Sequence, residues 1–149
     1  MGRIDPKDIP ELPVPVMNED HQREVGLVND LEEALAAHAA GGDATFDAVM
    51  AKLAHLAVHT REHFLREEAA MREARFPAYP VHKAEHDRVL AEMDREARLF
   101  REKGDAERLS RYLFEVLPTW FRGHVRTMDV VTAQFLSDRR EDAGPAGFL

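Results

Sequence analysis

Apolar residues recur at intervals of three and four along most of this chain, which is the period of an amphipathic α-helix. Breaks rich in glycine or proline, at "GGD", "RFPAYP" and "KGD", divide the pattern into four long segments. These segments predict helices at roughly residues 19–40, 44–74, 80–102 and 106–139. Because the connections are short, the pattern predicts an all-α fold, an antiparallel up-down four-helix bundle.

The two ends of the chain lack this period. Four prolines fall within residues 6–15 and predict an extended N-terminal arm over residues 1–17. The bundle is expected to span residues 18–140, followed by a loose tail at residues 141–149, "EDAGPAGFL". Asp43 and Asp105 each follow a glycine and are predicted to cap the helices that begin there.

The stretch "HLAVHTREHFLREE" contains four potential metal ligands, each four residues from the next: His55, His59, His63 and Glu67. Each step of four drifts by ~40° around a helix and rises by ~6 Å, so one compact site cannot use all of them. The apolar stripe of this helix leads to His63 and Glu67; it comprises Phe46, Val49, Leu53, Leu56 and Thr60. His63 and Glu67 are therefore predicted to face inward, with His59 at the flank and His55 at the surface.

Each of the other helices also carries an inward histidine. His21 lies on the apolar side of the first helix, and His82 and His86 lie on that of the third. The inward stripe of the fourth helix is predicted to comprise Leu113, Leu117, Trp120, His124, Met128, Val131 and Phe135. A core of this size cannot supply hydrogen-bond partners for five histidines and a glutamate, whereas a metal can bind them.

Three types of metal site can be compared with these residues. "HKAEH", residues 82–86, matches the H-x-x-E-H pattern of zinc peptidases with Glu85 as the base. That site leaves four inward side chains unused: His21, His63, Glu67 and His124. A ferritin-like di-iron site needs Glu-x-x-His pairs, and no histidine here has a glutamate three residues before it. A histidine-rich di-iron site shared among the four helices remains.

The segments that carry these ligands resemble the hemerythrin family, in particular its single-domain bacterial members. They are "MNEDHQREVGLVNDL", "EHFLREEAAM", "YPVHKAEHDRVL" and "WFRGHVRTMD", and the resemblance covers roughly residues 17–136. It implies two non-haem iron ions (Fe²⁺/Fe³⁺) with a bridging oxo or hydroxo group. By position, the implied ligands are His82, His86 and His124 on one iron, His21 and His63 on the other, and Glu67 and Asp129 as bridges.

Two features of the fourth helix are irregular. Asp129 follows His124 by five residues, which is ~140° of rotation in a regular α-helix rather than one face. Either the aspartate reaches sideways or a π-bulge corrects the phase. Pro118 removes one helical hydrogen bond and is expected to kink the helix.

Imidazole and carboxylate are suitable ligands for iron. If each iron takes six ligands, one position stays open on the iron with two histidines. The resemblance implies reversible O2 binding there, in an oxygen carrier, store or delivery protein rather than an enzyme. Azide or another small anion is expected to bind the same position in the diferric form. An enzyme acting on peroxide or nitric oxide, and an O2 or redox sensor, are the alternatives.

Charge and composition limit the possible partners. The formal net charge of −8 argues against a nucleic-acid partner, which requires basic patches. No apolar run approaches the ~20 residues of a membrane span, and no secretory signal is visible. The absence of cysteine excludes disulfides and thiolate metal sites. We therefore expect a cytoplasmic monomer with no membrane partner.

Overall fold

The computed structural model describes residues 4–41 and 43–143 of the 149-residue chain. Three uninterrupted helices are α1, Pro15–Ala39, α2, Asp43–Glu73, and α3, Tyr79–Lys103. The fourth, α4, covers residues 106–143 and is described in five parts: Ala106–Arg111, Tyr112–Val116, Leu117–His124, Val125–Asp129 and Val130–Ala143. The all-α, antiparallel four-helix bundle is confirmed.

The helix ends follow local chemistry. Helix α1 begins at Pro15, earlier than predicted, because proline suits the first turn of a helix, where no backbone N–H is needed. The Asp105 side chain caps α4 by accepting from the backbone N–H of Arg108 at 3.0 Å, as predicted. Asp43 is itself the first residue of α2, and its side chain lies outside the described part, as do tail residues 144–149.

The N-terminal arm packs against the bundle. It includes a short 3₁₀-helix, Pro6–Asp8, and it buries Ile4, Ile9 and Leu12 in the core. The Asn29 side chain pairs with both backbone groups of Ile4, at 3.0 and 3.1 Å. Asn18 pairs in the same way with Leu12, at 2.8 Å for each bond. Two asparagines of α1 thus bind the backbone of the arm.

Helix α4 contains two π-helical turns, which change its inward face. The second turn, Val125–Asp129, has an i→i−5 bond from the N–H of Val130 to the carbonyl of Val125. Such a turn holds one residue more than an α-helical turn, so every later position is rotated. Beyond His124 the predicted stripe is wrong at Val131, which is 58% exposed, whereas Met128 and Phe135 are half-buried. The buried positions are instead Asp129, Thr132, Ala133 and Leu136.

The first π turn of α4, Tyr112–Val116, ends two residues before Pro118. The N–H of Leu117 bonds to the carbonyl of Tyr112, five residues back. The helix continues through Pro118, whose missing N–H falls in the first turn of the α-helical part that follows. Among the described residues, no helix provides an apolar stretch long enough to span a bilayer.

Candidate metal centre

All seven side chains predicted as ligands meet in the interior of the bundle. Helix α1 supplies one of them, and each other helix supplies two; they are His21, His63, Glu67, His82, His86, His124 and Asp129, all buried. Their ligand atoms form two groups, in each of which the atoms lie within 4.8 Å of one another. One group holds three histidines, the other holds two, and Glu67 belongs to both.

The Glu67 carboxylate lies between the two histidine groups. Its Oε1 is 3.3 Å from His86 Nε2 and 3.7 Å from His82 Nε2. Its Oε2 is 2.8 Å from His63 Nε2 and 3.6 Å from His21 Nε2. Each oxygen therefore faces a different group, which is the arrangement of a carboxylate that bridges two ions.

Asp129 repeats this division on the other side of the cluster. Its Oδ1 is 3.1 Å from His82 Nε2 and 3.2 Å from His124 Nε2, whereas its Oδ2 is 3.0 Å from His21 Nε2. The π turn makes this possible, because a turn with one extra residue brings positions five apart onto one face. Of the two geometries predicted for Asp129, the structure contains the π-bulge.

Several inward-facing atoms of the cluster have no hydrogen-bond partner although they are buried. They are His21 Nε2, His86 Nε2, Glu67 Oε1 and Asp129 Oδ1. His86 Nε2 lies 3.3 Å from Glu67 Oε1 without the alignment of a hydrogen bond. In the same way, His21 Nε2 lies 3.0 Å from Asp129 Oδ2, and Asp129 Oδ1 lies 3.2 Å from His124 Nε2. Buried polar atoms are rarely left unpaired, and donor atoms that converge in this way fit metal ions.

The electrostatics of the cluster also favour cations. Burial raises the pKa of Glu67, but His63, His21 and His86 outweigh it and hold that pKa well below its usual range. Conversely, burial lowers the pKa of His63, and the carboxylates of Glu67 and Glu24 reverse this and raise it well above its usual range. The carboxylates thus attract positive charge, which protons supply to the metal-free protein and metal ions can supply instead.

Neighbouring side chains fix the orientation of four imidazoles. The Nδ1 atoms of His82 and His86 lie 2.8 Å from Thr132 Oγ1 and Glu68 Oε2, respectively. Stacked rings hold two of the planes: Phe64 on His86, with centroids 3.8 Å apart, and Trp120 on His124, at 4.5 Å. His63 Nδ1 lies 3.3 Å from Glu24 Oε1. Such partners direct each Nε2 lone pair to the centre.

The row of histidines in α2 divides largely as its phase predicts. His55 is exposed, and His63 lies in the centre with Glu67. His59 is more buried than its predicted place at the flank, and its Nε2 lies 3.1 Å from the Asp20 carbonyl oxygen. The sequence reasoning missed Glu24, although it lies three residues after His21 and so on the same inward face.

The zinc-peptidase alternative assigned the role of base to Glu85. In the structure its carboxylate is partly exposed and pairs with Arg88 on the same helix. His82 and His86, the two histidines of that motif, face the seven-residue cluster instead. The geometry therefore gives Glu85 no place beside these histidines as a base.

A narrow cavity adjoins the side of the cluster that has two histidines. His63, Phe64, Trp120 and Phe121 are among its lining residues, and the space open to a water-sized sphere is about 10 Å³. That volume is at the lower limit for one water molecule. The ring of Phe121 meets the His21 imidazole edge to face, with centroids 5.6 Å apart. The cavity thus admits only very small ligands.

Comparisons with known proteins give consistent results. The family model described as "Hemerythrin HHE cation binding domain" matches residues 12–135. A bacteriohemerythrin from Aquifex aeolicus is 33% identical over 123 residues, which is 82% of this chain and 88% of that protein. A bacteriohemerythrin from Ralstonia nicotianae is 44% identical over 85 residues, 57% of this chain and 61% of that protein. The fold is similar to the crystal structure of a mutant hemerythrin, with a TM-score of 0.70, 23% identity, and coverage of 85% of this chain and 90% of that one.

Proposed function

Because this chain belongs to the hemerythrin family, we propose that it binds O2 reversibly at a non-haem di-iron centre. The observation that carries the proposal is the division of two carboxylates between two histidine groups. One oxygen each of Glu67 and Asp129 faces the group of His82, and the other oxygen of each faces His21. A single ion does not use two carboxylates in this way.

The residues divide between the proposed ions as follows: His82, His86 and His124 hold one, His21 and His63 hold the other, and Glu67 and Asp129 bridge them. An oxo or hydroxo group would complete the bridge. When bound, the iron pair supplies the electrons for reversible O2 binding and the one open coordination position. The ligand count would leave that position on the ion held by His21 and His63, and His63 also lines the narrow cavity.

The chain favours release of intact O2 in two ways. Five neutral imidazoles and two carboxylates donate less charge than a carboxylate-rich ligand set, which disfavours cleavage of the O–O bond. Aromatic side chains also surround the cluster: Phe64 and Trp120 stack on histidines of the cluster, and Phe121 lines the cavity. A dry surrounding limits the access of water and protons, which would otherwise promote irreversible oxidation.

Iron content and visible spectra test this proposal. We expect two irons per chain and almost no zinc, together with a spectrum that changes on admission of air and returns when O2 is removed under argon. In the diferric protein, azide should compete for the same position. One zinc per chain would contradict the di-iron assignment. Steady consumption of peroxide or nitric oxide with an electron donor would instead support an enzyme.

A further inference from the structure

A second buried polar group lies directly behind the cluster. Glu24 of α1 is buried, and its Oε1 lies 3.3 Å from His63 Nδ1, on the side of the ring away from the centre. The same oxygen is 3.4 Å from His59 Nε2, and Oε2 accepts a 2.6 Å hydrogen bond from Thr60 Oγ1. We propose that Glu24 is a positioning residue, which orients His63 and strengthens it as a ligand of the ion with the open position.

The hydrogen-bond partners of Glu24 determine how each group is protonated in this network. His59 Nε2 lies near two acceptors, the Glu24 carboxylate and the Asp20 carbonyl oxygen, so it carries the hydrogen. His63 Nδ1 faces a carboxylate oxygen and carries a hydrogen for the same reason. With the hydrogen fixed on Nδ1, Nε2 is the ring atom of His63 that would bind an ion; without metal it lies 2.8 Å from Glu67 Oε2.

Salt bridging on the outer side holds the network in place. The Arg66 guanidinium donates two hydrogen bonds to the Asp20 carboxylate, at 2.6 and 3.0 Å. This pair joins α1 to α2 beside His59, whose imidazole bonds to the Asp20 backbone. Glu24 is therefore fixed from three directions, by His59, Thr60 and His63, and its geometry does not depend on a flexible surface chain.

Glu24 is also important because the two ions have different surroundings. On the side with three histidines, Thr132 and Glu68 hold two imidazoles. On the side with two histidines, His21 Nδ1 is buried and has no hydrogen-bond partner. Among the described residues, Glu24 is thus the polar side chain that orients a histidine of this ion. A negative charge behind His63 makes the imidazole a stronger donor and stabilises the ferric state.

This inference rests on the proposed metal centre, and Co²⁺ titration of the apo-protein tests it separately from O2 binding. Glu24→Gln keeps the size of the side chain and removes its charge. We expect this variant to bind one of the two Co²⁺ ions with an affinity about 10–100-fold lower. In the iron-loaded protein we expect a higher reduction potential. Glu24→Leu also removes the side-chain oxygen that accepts from His63, so it should lower the affinity for the same ion further.

Two controls identify the affected ion. Asp30→Asn removes one charge from an exposed position of the same helix and should change neither affinity nor potential. In a His63→Ala background, Glu24→Gln should not change the Co²⁺ affinity of the remaining site. Glu68→Gln should still lower that affinity, because Glu68 faces His86 of the remaining site. Wild-type affinities and potential in Glu24→Gln, or equal weakening of both ions, would overturn the inference. If Glu24→Gln weakened Co²⁺ binding at one site as expected, but the iron-loaded wild-type protein did not bind O2 reversibly, only the proposed function would be contradicted.

Discussion

His55, His59 and His63 are identical side chains one helical turn apart in α2, and they have three different surroundings. His55 is exposed to solvent, His59 bonds to the backbone of α1, and His63 lies within the candidate metal centre. The drift of ~40° for each step of four accounts for this progression. At this scale, the angle around the helix determines which residue can bind a metal.

Removal of single imidazoles tests this dependence. His63→Ala should lose one of the two ions, because its Nε2 lies beside Glu67 on the side with only two histidines. His55→Ala should retain both and should change the free energy of unfolding by no more than ~0.5 kcal/mol, as expected for an exposed position. Metal analysis and thermal denaturation of both variants provide the measurement. Equal metal loss would contradict the helical phase assigned here.

The residues that the sequence analysis missed are acidic ones beside the ligands. Periodicity shows that Glu24 and Glu68 lie on inward or flanking positions, but it does not show which imidazole each one touches. Those contacts depend on how far α1 and α3 lie from α2, which is a property of packing. Six of the seven candidate ligands were easier to predict, because five inward histidines and a glutamate cannot all find hydrogen-bond partners in a core of this size. Asp129 was predicted only from the family resemblance.

At the scale of elements, α4 differs most from an ideal helix. Its two π turns occur just before Pro118 and between His124 and Asp129, the two places where the sequence departs from regular spacing. The spacing of five between His124 and Asp129 predicted either a π turn or a sideways reach of the aspartate, and the structure contains the π turn. The predicted stripe did not include the rotation that this turn gives to the following residues, and it therefore placed Val131 on the wrong face.

Deletion of Thr127 tests the role of the second π turn. It would shorten the spacing between the ligands from five to four, so that a regular α-helix keeps both on one face. Thr127 is exposed, and its side chain bonds only to the carbonyl of Gly123 in the same helix. We expect two ions to be retained and the melting temperature to be maintained or raised. Loss of metal would show that the π turn supplies more than phase.

A matched deletion in α2 provides the control. Leu65 is exposed and lies between His63 and Glu67, but α2 is uninterrupted α-helix there. Removing it would rotate the two parts of the helix by ~100° relative to each other. Metal content and melting temperature should both fall. If both deletions behaved alike, the spacing between the ligands would not depend on the π turn.

At the scale of the whole molecule, the four segments and their breaks were sufficient to predict the bundle. The arm was predicted only as extended chain, because prolines exclude a helix but do not show where the arm packs. Its apolar residues Ile4, Ile9 and Leu12 are buried in the core, and two asparagines bind its backbone. These long-range contacts have no periodic signal in the sequence.

Metal removal should destabilise the entire bundle, because the proposed ligands come from all four helices and leave buried polar atoms unpaired when no ion binds them. An ion that binds only the folded state, at a free concentration 1,000 times its dissociation constant, contributes about 4 kcal/mol. For a chain of this size that corresponds to a rise in melting temperature of about 8–16 °C per ion. Melting in chelator and at several free Co²⁺ concentrations measures the effect. The rise should be preserved in His55→Ala and reduced in Asp129→Asn, whose amide is a poorer bridge between two cations. Identical melting curves with and without metal would contradict the structural role of the centre, since binding that couples four helices must favour the folded chain.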